Sequence, residues 1–246
     1  MDQQYRGDAV QSRVDCGQEG EVHTMEATVP LERLNRVAPS ARIPVKLYYF
    51  HVAPNPTKVR VYLAEKGLEL ETELVDLRAA QQRTPEFLAK NPLGKLPVLE
   101  LDDGSCVCES LAIIEYLEEL HPDPALFGVT PEERAHARAV ERLADVGVLQ
   151  PISTIVHATR SPLGLPAVPE VATWARERLA PGLELLDHRL ANSEFLAGER
   201  VTVADCTLWA ALGFGEFGGV EIDPALANIA RWRATFAQRP SVQLQA

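Results

Sequence analysis

Apolar and polar positions alternate with two different periods in the first half of the chain. VKLYYF, from Val45, is rich in β-branched and aromatic residues, and LELETELVDL alternates apolar and acidic residues as a half-buried strand does. Between these strands a helical pattern runs from about Thr57 to Lys66 and stops at Gly67, a residue typical of helix C-caps. A short helix in TPEFLAKNP, an Asp-Asp-Gly hairpin in KLPVLELDDGSCVCES and a serine-capped helix in SLAIIEYLEELHP complete the order βαβ-α-ββα.

From Pro131 onward the pattern is helical throughout. The predicted helices run from Pro131 to about Thr159, from about Pro169 to Ala191 with a bend at Pro181, from Thr202, and from Ala225 to about Gln238. The segment HPDPALFG, with its prolines and glycine, predicts a linker before them. The sequence therefore predicts an α/β domain over residues 45–121 and an all-helical domain over residues 130–246.

The helix that starts at Thr202 carries a predicted reciprocal N-terminal cap. Thr202 and Asp205 have the spacing of a capping box, and Val201 precedes them where it can pack onto the helix. We therefore assign Asp205 a structural role, holding a buried helix end, rather than a catalytic one.

The first 44 residues differ from the rest of the chain. They lack hydrophobic periodicity and mix charges of both signs, which predicts a disordered extension over residues 1–44. No apolar core segment of a secretory signal is present in this stretch, and its acidic residues argue against a transit peptide.

Composition excludes several classes of partner. The chain has 246 residues and a formal net charge of −11, which disfavours binding to a phosphate backbone, and no apolar run is long enough to cross a bilayer. Cys106 and Cys108 lie two apart without histidines near them, so no metal site is expected. We interpret the cysteines as free thiols in a reducing compartment.

Pro97 stands at the head of a predicted strand, where it removes a ladder donor. Two interpretations are open at this point. Pro97 can be an ordinary trans proline at a strand start, or a cis bond can turn the backbone of Leu96 outward as a short added strand for an extended peptide.

Two further groups of polar residues suit a charged ligand. Glu109 and Ser110 follow a strand and open a helix, whose free N–H groups suit a carboxylate, while Glu109 suits an ammonium group. Lys95 and Gln82 can each donate to a second carboxylate. Taken singly, Glu109 and Ser110 are explained at least as well by a plain helix cap with an exposed acid, and Lys95 and Gln82 are better explained as polar surface.

In their order and spacing these segments resemble the soluble glutathione transferases. The resemblance covers Lys46 to about Val242 and is carried by NPLGKLPVLELDDG, by ES followed by LAIIEYLEE, and by FLAGERVTVAD. The variant PNPTKVRVYLAEKG is most similar to the bacterial and fungal theta-like and nu-like branches.

The resemblance implies a thioredoxin-like domain that binds glutathione, and a helical domain that forms most of a hydrophobic co-substrate pocket. Leu96, before a cis Pro97, would pair with the cysteinyl backbone. Glu109 and Ser110 would bind the γ-glutamyl end, and Gln82 and Lys95 the glycine end. The family also implies a cytoplasmic homodimer with no metal.

The resemblance places the glutathione sulfur at the start of the helix near Pro56, where donors stabilise the thiolate. Asn55, in the predicted N-cap position with Pro56 at N1, is the first candidate donor. The phenol of Tyr49 and the hydroxyl of Thr57 are alternatives, followed by backbone amides or a bound water. Ala53 stands where nu-like members carry threonine, so the donor set of that branch is incomplete.

Two functions follow from the resemblance. The first is alkyl or aryl transfer of glutathione to small hydrophobic electrophiles in detoxification, with peroxide reduction as a side activity. The second is a non-catalytic glutathione-binding or scaffold protein. His136, Arg138 and Arg142 are candidate polar members of the co-substrate pocket, although a solvated helix face is the favoured interpretation. A mixed disulfide at the first helix is disfavoured because no cysteine lies there.

Overall fold

The computed structural model describes residues 43–243. The elements are β1 (Ile43–Tyr49), α1 (Pro54–Lys66), β2 (Leu70–Leu74), α2 (Pro85–Lys90), β3 (Val98–Glu100), β4 (Cys106–Cys108), α3 (Ser110–Leu120), α4 (Pro131–Ala144), α5 (Gln150–Arg160), α6 (Pro169–Leu190), α7 (Val203–Phe217), α8 (Ala227–Phe236) and α9 (Pro240–Gln243). The predicted extension over residues 1–44 lies outside the described residues, except that Ile43 and Pro44 already belong to β1.

The four strands form one mixed sheet in the order β2-β1-β3-β4. β1 and β2 are parallel, so the chain needs the crossover through α1, whereas β3 pairs antiparallel with β1 and β4. This sheet with its helices confirms the predicted thioredoxin-like α/β fold followed by an all-helical part.

Alternation along the strands separates two apolar clusters. Leu47 and Leu99 are paired in register and fully buried beneath α1 and α3. Tyr48 and Val98, one position along, pack on the opposite face with Phe87 of α2. The larger cluster continues into the helical part as far as α8 and α9, so both parts share one core.

The helical part is built around α7. This helix is buried on most of its circumference, as expected for a helix apolar on nearly all sides, and it contacts α1, α4 and α5. α4 and α5 are joined by a π-helical turn, Asp145–Leu149, where the sequence predicted one uninterrupted helix. The predicted last helix is also shorter, and the separate α9 follows it.

The predicted cap at α7 is confirmed. Asp205 is completely buried and accepts hydrogen bonds from the backbone N–H groups of Thr202, at 2.9 Å, and Leu196, at 3.0 Å, and from Trp232 Nε1 at 3.0 Å. Burial raises the pKa of Asp205 to about 6, although these donors act in the opposite direction. Asp205 therefore fastens the start of α7 to the loop before it and to α8.

Three local predictions in the α/β part are wrong. α1 begins at Pro54, with Ala53 as its N-cap, rather than near Thr57. α3 has Glu109 at its N-cap and Ser110 as its first residue, so the serine cap is not formed. β2 is an edge strand with mostly exposed residues rather than a half-buried one.

Candidate functional site

A cavity of about 600 Å³ lies between the loops of the α/β part and the α4–α5 segment. One wall, the α/β wall, is formed by Asn55, Asn91, Lys95, Leu96, Pro97, Glu109, Ser110 and Leu111. The opposite wall, the helical wall, is formed by Arg142, Asp145, Leu149, Gln150, Ser153 and Thr154. The cavity thus brings together six of the nine residues assigned to glutathione from the sequence, and it leaves out Tyr49, Thr57 and Gln82.

Leu96 and Pro97 lie on the α/β wall with a cis peptide bond between them, so Pro97 is not an ordinary trans proline. Asn91 holds the loop that leads to them. Its amide donates to the carbonyl of Lys95 at 2.8 Å, and its side-chain oxygen accepts from the N–H of Leu93 at 3.1 Å. Sequence analysis missed Asn91, although its position before Pro92 is typical of a turn residue.

Glu109 is held in an unusual backbone conformation at the start of α3. Its φ of 70° lies in a region that residues with a Cβ rarely adopt, and its side chain is exposed and forms no cap hydrogen bond. Ser110 beside it is buried, and its hydroxyl donates to Oδ1 of Asn55 at 3.0 Å. This bond ties the start of α3 to the start of α1.

Asn55 is the second residue of α1, not its N-cap, because Pro54 already takes the first helical position. Pro54 and Pro56 have no N–H group, so the N–H of Asn55 is the free backbone donor in the first three positions of the helix. Its Oδ1 is occupied by Ser110, which leaves the side-chain NH₂ without a partner among residues 43–243. Both donors at this helix end therefore belong to one residue.

The two rival donors do not line the cavity. The ring of Tyr49 lies under the guanidinium of Arg60, 5.0 Å from centroid to Cζ, and against His51, and it does not line the cavity. The hydroxyl of Thr57 donates to the carbonyl of Ala53 at 3.0 Å, within its own helix. Of the three candidates, only Asn55 faces the cavity.

Lys95 and Gln82 are separated by the structure. Lys95 is exposed on the cavity wall. Gln82 lies behind the wall and is 7% exposed, and its Oε1 is buried without a hydrogen-bond partner among the described residues. A Cβ on Gly94 would lie 2.7 Å from the backbone oxygen of Gln82, so glycine is required for this close contact.

The residues of the helical wall differ most from those predicted from the sequence. Arg142 belongs to it, whereas Arg138 pairs with Glu115 and His136 contacts Arg189, both away from the cavity. Asp145, Gln150, Ser153 and Thr154 were not predicted. The available clue was a spacing of three or four residues, which marks a single helix face and relates Arg142, Asp145, Leu149 and Ser153.

The described residues contain no group of three or more His, Cys, Asp or Glu side chains that could hold a metal ion. Cys106 and Cys108 are half-buried and lie outside the cavity lining, and burial raises the pKa of both thiols. Over residues 43–243, every helix is too short or too polar to span a bilayer.

Comparison with known proteins agrees with this geometry. Residues 43–119 match the family model of the glutathione S-transferase N-terminal domain, and residues 152–240 match that of the C-terminal domain. Glutathione S-transferase 2 of Saccharomyces cerevisiae is 32% identical over 207 residues, which cover 80% of this chain and 87% of that protein.

Two solved structures extend the comparison. A glutathione S-transferase domain-containing protein of Marinobacter aquaeolei is 39% identical, with a TM-score of 0.76, and the match covers 80% of this chain and 99% of that one. A glutathione S-transferase of Methylobacillus flagellatus, solved with glutathione bound, is 31% identical with a TM-score of 0.72, and the match covers 82% and 98%.

Proposed function

The chain belongs to the glutathione S-transferase family, with bacterial and fungal relatives, and from that premise we propose that it binds glutathione on the α/β wall and transfers it to an electrophile held against the helical wall. The thiol loses its proton to water, and the thiolate forms a carbon–sulfur bond. In a substitution the leaving group departs with its electron pair, and in an addition the resulting carbanion takes up a proton.

The charges on the α/β wall support the binding of the tripeptide. Glu109 would hold the γ-glutamyl ammonium, while Ser110 and the N-terminal end of α3 would bind the neighbouring carboxylate. The backbone of Leu96 would pair with the cysteinyl residue, and Lys95 would bind the glycine carboxylate. Gln82 would have to turn its amide outward to reach the same carboxylate.

Asn55 is the observation that carries the catalytic part of the proposal. A free thiol is mostly protonated at neutral pH, and hydrogen-bond donors that favour the anion lower its pKa. The backbone N–H and the side-chain NH₂ of Asn55 both lack partners among the described residues, at the positive end of α1, and Ser110 holds the side-chain oxygen. This fixed orientation would present the NH₂ group to the sulfur.

The test is an ultraviolet difference titration with glutathione over a range of pH. We expect a saturable thiolate band, and we expect Asn55→Ala to raise the pKa of the bound thiol by about 1 to 2 units, the equivalent of one hydrogen bond to a charged group. Tyr49→Phe is the control and should leave the band unchanged. If instead Tyr49→Phe removes the band and Asn55→Ala does not, the assignment of Asn55 is wrong.

The second candidate function is glutathione binding without turnover. It is favoured by one observation, that two prolines leave the first turn of α1 with a single free backbone donor. Calorimetric binding of glutathione without a thiolate band would favour this alternative. A homodimer, a cytoplasmic location and peroxide reduction as a side activity stay predictions from the family.

A further inference from the structure

The helical wall of the cavity is polar where an apolar co-substrate pocket was expected. All of its lining residues except Leu149 carry a polar or charged group. An apolar molecule against this wall would remove water from these groups without replacing their hydrogen bonds, which costs free energy. The second substrate is therefore expected to supply polar groups of its own.

Arg142 is the cation on this wall. Its Nη1 donates to Oδ2 of Asp145 at 2.7 Å, and no other partner of its guanidinium lies among residues 43–243. Both side chains line the cavity, but that of Arg142 is 49% exposed and that of Asp145 is 12% exposed, so the guanidinium is the more accessible group of the pair. Asp145 orients the arginine and leaves most of its five N–H donors available.

Glutathione does not account for Arg142. The charged groups of the tripeptide are matched by Glu109, Ser110 and Lys95, which all lie on the opposite wall. A guanidinium with free donors recognises carboxylates with two parallel hydrogen bonds. Gln150 lines the cavity on the same helical wall and adds an amide donor.

We propose that the second substrate is an electrophile that carries an anionic group, such as a carboxylate, and that Arg142 binds this group. The inference rests on the proposed transferase function and narrows its substrate class from hydrophobic to anionic electrophiles. Arg142 would then select the substrate and position it, without taking part in the chemistry at the sulfur.

A matched pair of electrophiles tests the inference. 4-Chloro-3,5-dinitrobenzoate and 4-chloro-3,5-dinitrobenzamide have the same ring and the same reaction, in which the thiolate bonds to the ring carbon that bears chlorine and chloride leaves with the bonding electrons. With each rate divided by the uncatalysed rate, we expect kcat/KM to favour the benzoate by about ten- to a hundredfold, as one charge-assisted hydrogen-bonded pair provides.

Variants identify Arg142 as the source of this preference. Arg142→Gln should remove it, and Arg142→Lys should retain part of it because the charge stays. Arg142→Gln/Asp145→Asn removes both charges together, and it should also abolish the preference without leaving an unpaired carboxylate. Arg138→Gln, one turn away and outside the cavity, is the matched control and should keep the full preference.

Equilibrium binding of the two product conjugates separates this inference from the transferase proposal. Tighter binding of the benzoate conjugate that is lost in Arg142→Gln supports the inference. If this binding is observed without turnover, the result counts against the transferase proposal alone. Equal binding of both conjugates, with turnover of both electrophiles, would overturn the inference and keep the transferase. A preference that survives in Arg142→Gln while KM for glutathione rises would also overturn it. Failure of both conjugates to bind would overturn both proposals.

Discussion

Glu109 is a single residue whose backbone conformation at the edge of the cavity is strained. Its φ of 70° and ψ of 121° are sterically unfavourable for a residue with a Cβ, and such strain costs about 1–3 kcal/mol. The side chain forms no cap bond that would offset the cost, yet it lies at the edge of the cavity. We propose that this conformation serves ligand binding rather than helix capping.

Replacing Glu109 by glycine and by alanine separates the cost of the strained backbone from the contribution of the carboxylate to ligand binding. Glu109→Ala keeps a Cβ in the strained conformation and Glu109→Gly does not, so we expect the glycine variant to be more stable by about 1 kcal/mol in urea unfolding. Both variants lose the carboxylate and should bind glutathione at least about tenfold more weakly by calorimetry. Equal stability of the two variants would show that the backbone is not strained. Undiminished binding would show that Glu109 does not hold the ammonium group.

Most residues of the α/β wall were predicted from the sequence, because many of them lie next to each other in the chain. Leu96 with Pro97, and Glu109 with Ser110, occupy single loops whose ends are marked by strand and helix patterns. Asn55 was assigned to the wrong helix position because Pro54 and Pro56 are both suited to the first helical turn. Its actual partner, Ser110, is 55 residues away, so no local pattern could predict that bond.

Among the helices, the helical wall depends on one very close contact behind it. A Cβ on Gly182 of α6 would lie 2.2 Å from the backbone oxygen of Gly147, in the π-helical turn between α4 and α5. The two backbones therefore approach as closely as glycine allows. Asp145 and Leu149, which line the cavity, belong to the same turn.

Gly182→Ala should disturb this contact. The added methyl would collide with backbone that no side-chain rotation can move, and we expect a loss of about 1–3 kcal/mol in the free energy of unfolding. Gly213→Ala is the matched control, since Gly213 is exposed within α7 and its Cβ would meet nothing within 4 Å. That substitution should stabilise the protein by about 0.5–1 kcal/mol, because alanine favours the helix. A neutral result at Gly182 would mean that the two segments can separate without cost.

The π-helical turn itself was not predicted. The pattern is helical on both sides of this turn and π-helical turns are rare, so the stretch was interpreted as one helix. Gly147 in its middle was the local indication, but a glycine within a helical pattern is also compatible with an ordinary helix. Only the packing of α6 against it distinguishes the two.

For the whole molecule, a buried ion pair joins the α/β part to the helical part. Lys58 Nζ of α1 lies 3.0 Å from Glu141 Oε1 of α4, with both side chains fully buried, and the Thr207 hydroxyl of α7 donates to the same oxygen at 3.1 Å. Lys58 is one turn from Asn55, and Glu141 precedes Arg142. The pair therefore connects the two cavity walls from inside the core. Lys58 and Glu141 are 83 residues apart, so the sequence alone gave no reason to pair them.

Breaking this pair from one side should cost more than removing it entirely. Lys58→Met leaves the Glu141 carboxylate buried without its counter-charge, and Glu141→Leu leaves the Lys58 ammonium buried without its own. Each substitution should lower the free energy of unfolding by about 3–5 kcal/mol. Lys58→Met/Glu141→Leu leaves no buried charge, and the Thr207 hydroxyl keeps its bond to the carbonyl of Val203. The double variant should therefore be more stable than either single variant.

The exposed pair between Arg138 and Glu115 provides the comparison, because it links the same two parts at the protein surface. Removing it from either side should change the free energy of unfolding by less than about 1 kcal/mol, since water screens both charges. Chemical denaturation of the two double-mutant cycles measures the coupling in each pair. Additive losses at Lys58 and Glu141 would mean that the two side chains stabilise their own elements independently. A large coupling there and a small one at the surface would show that the core charges hold the two cavity walls together.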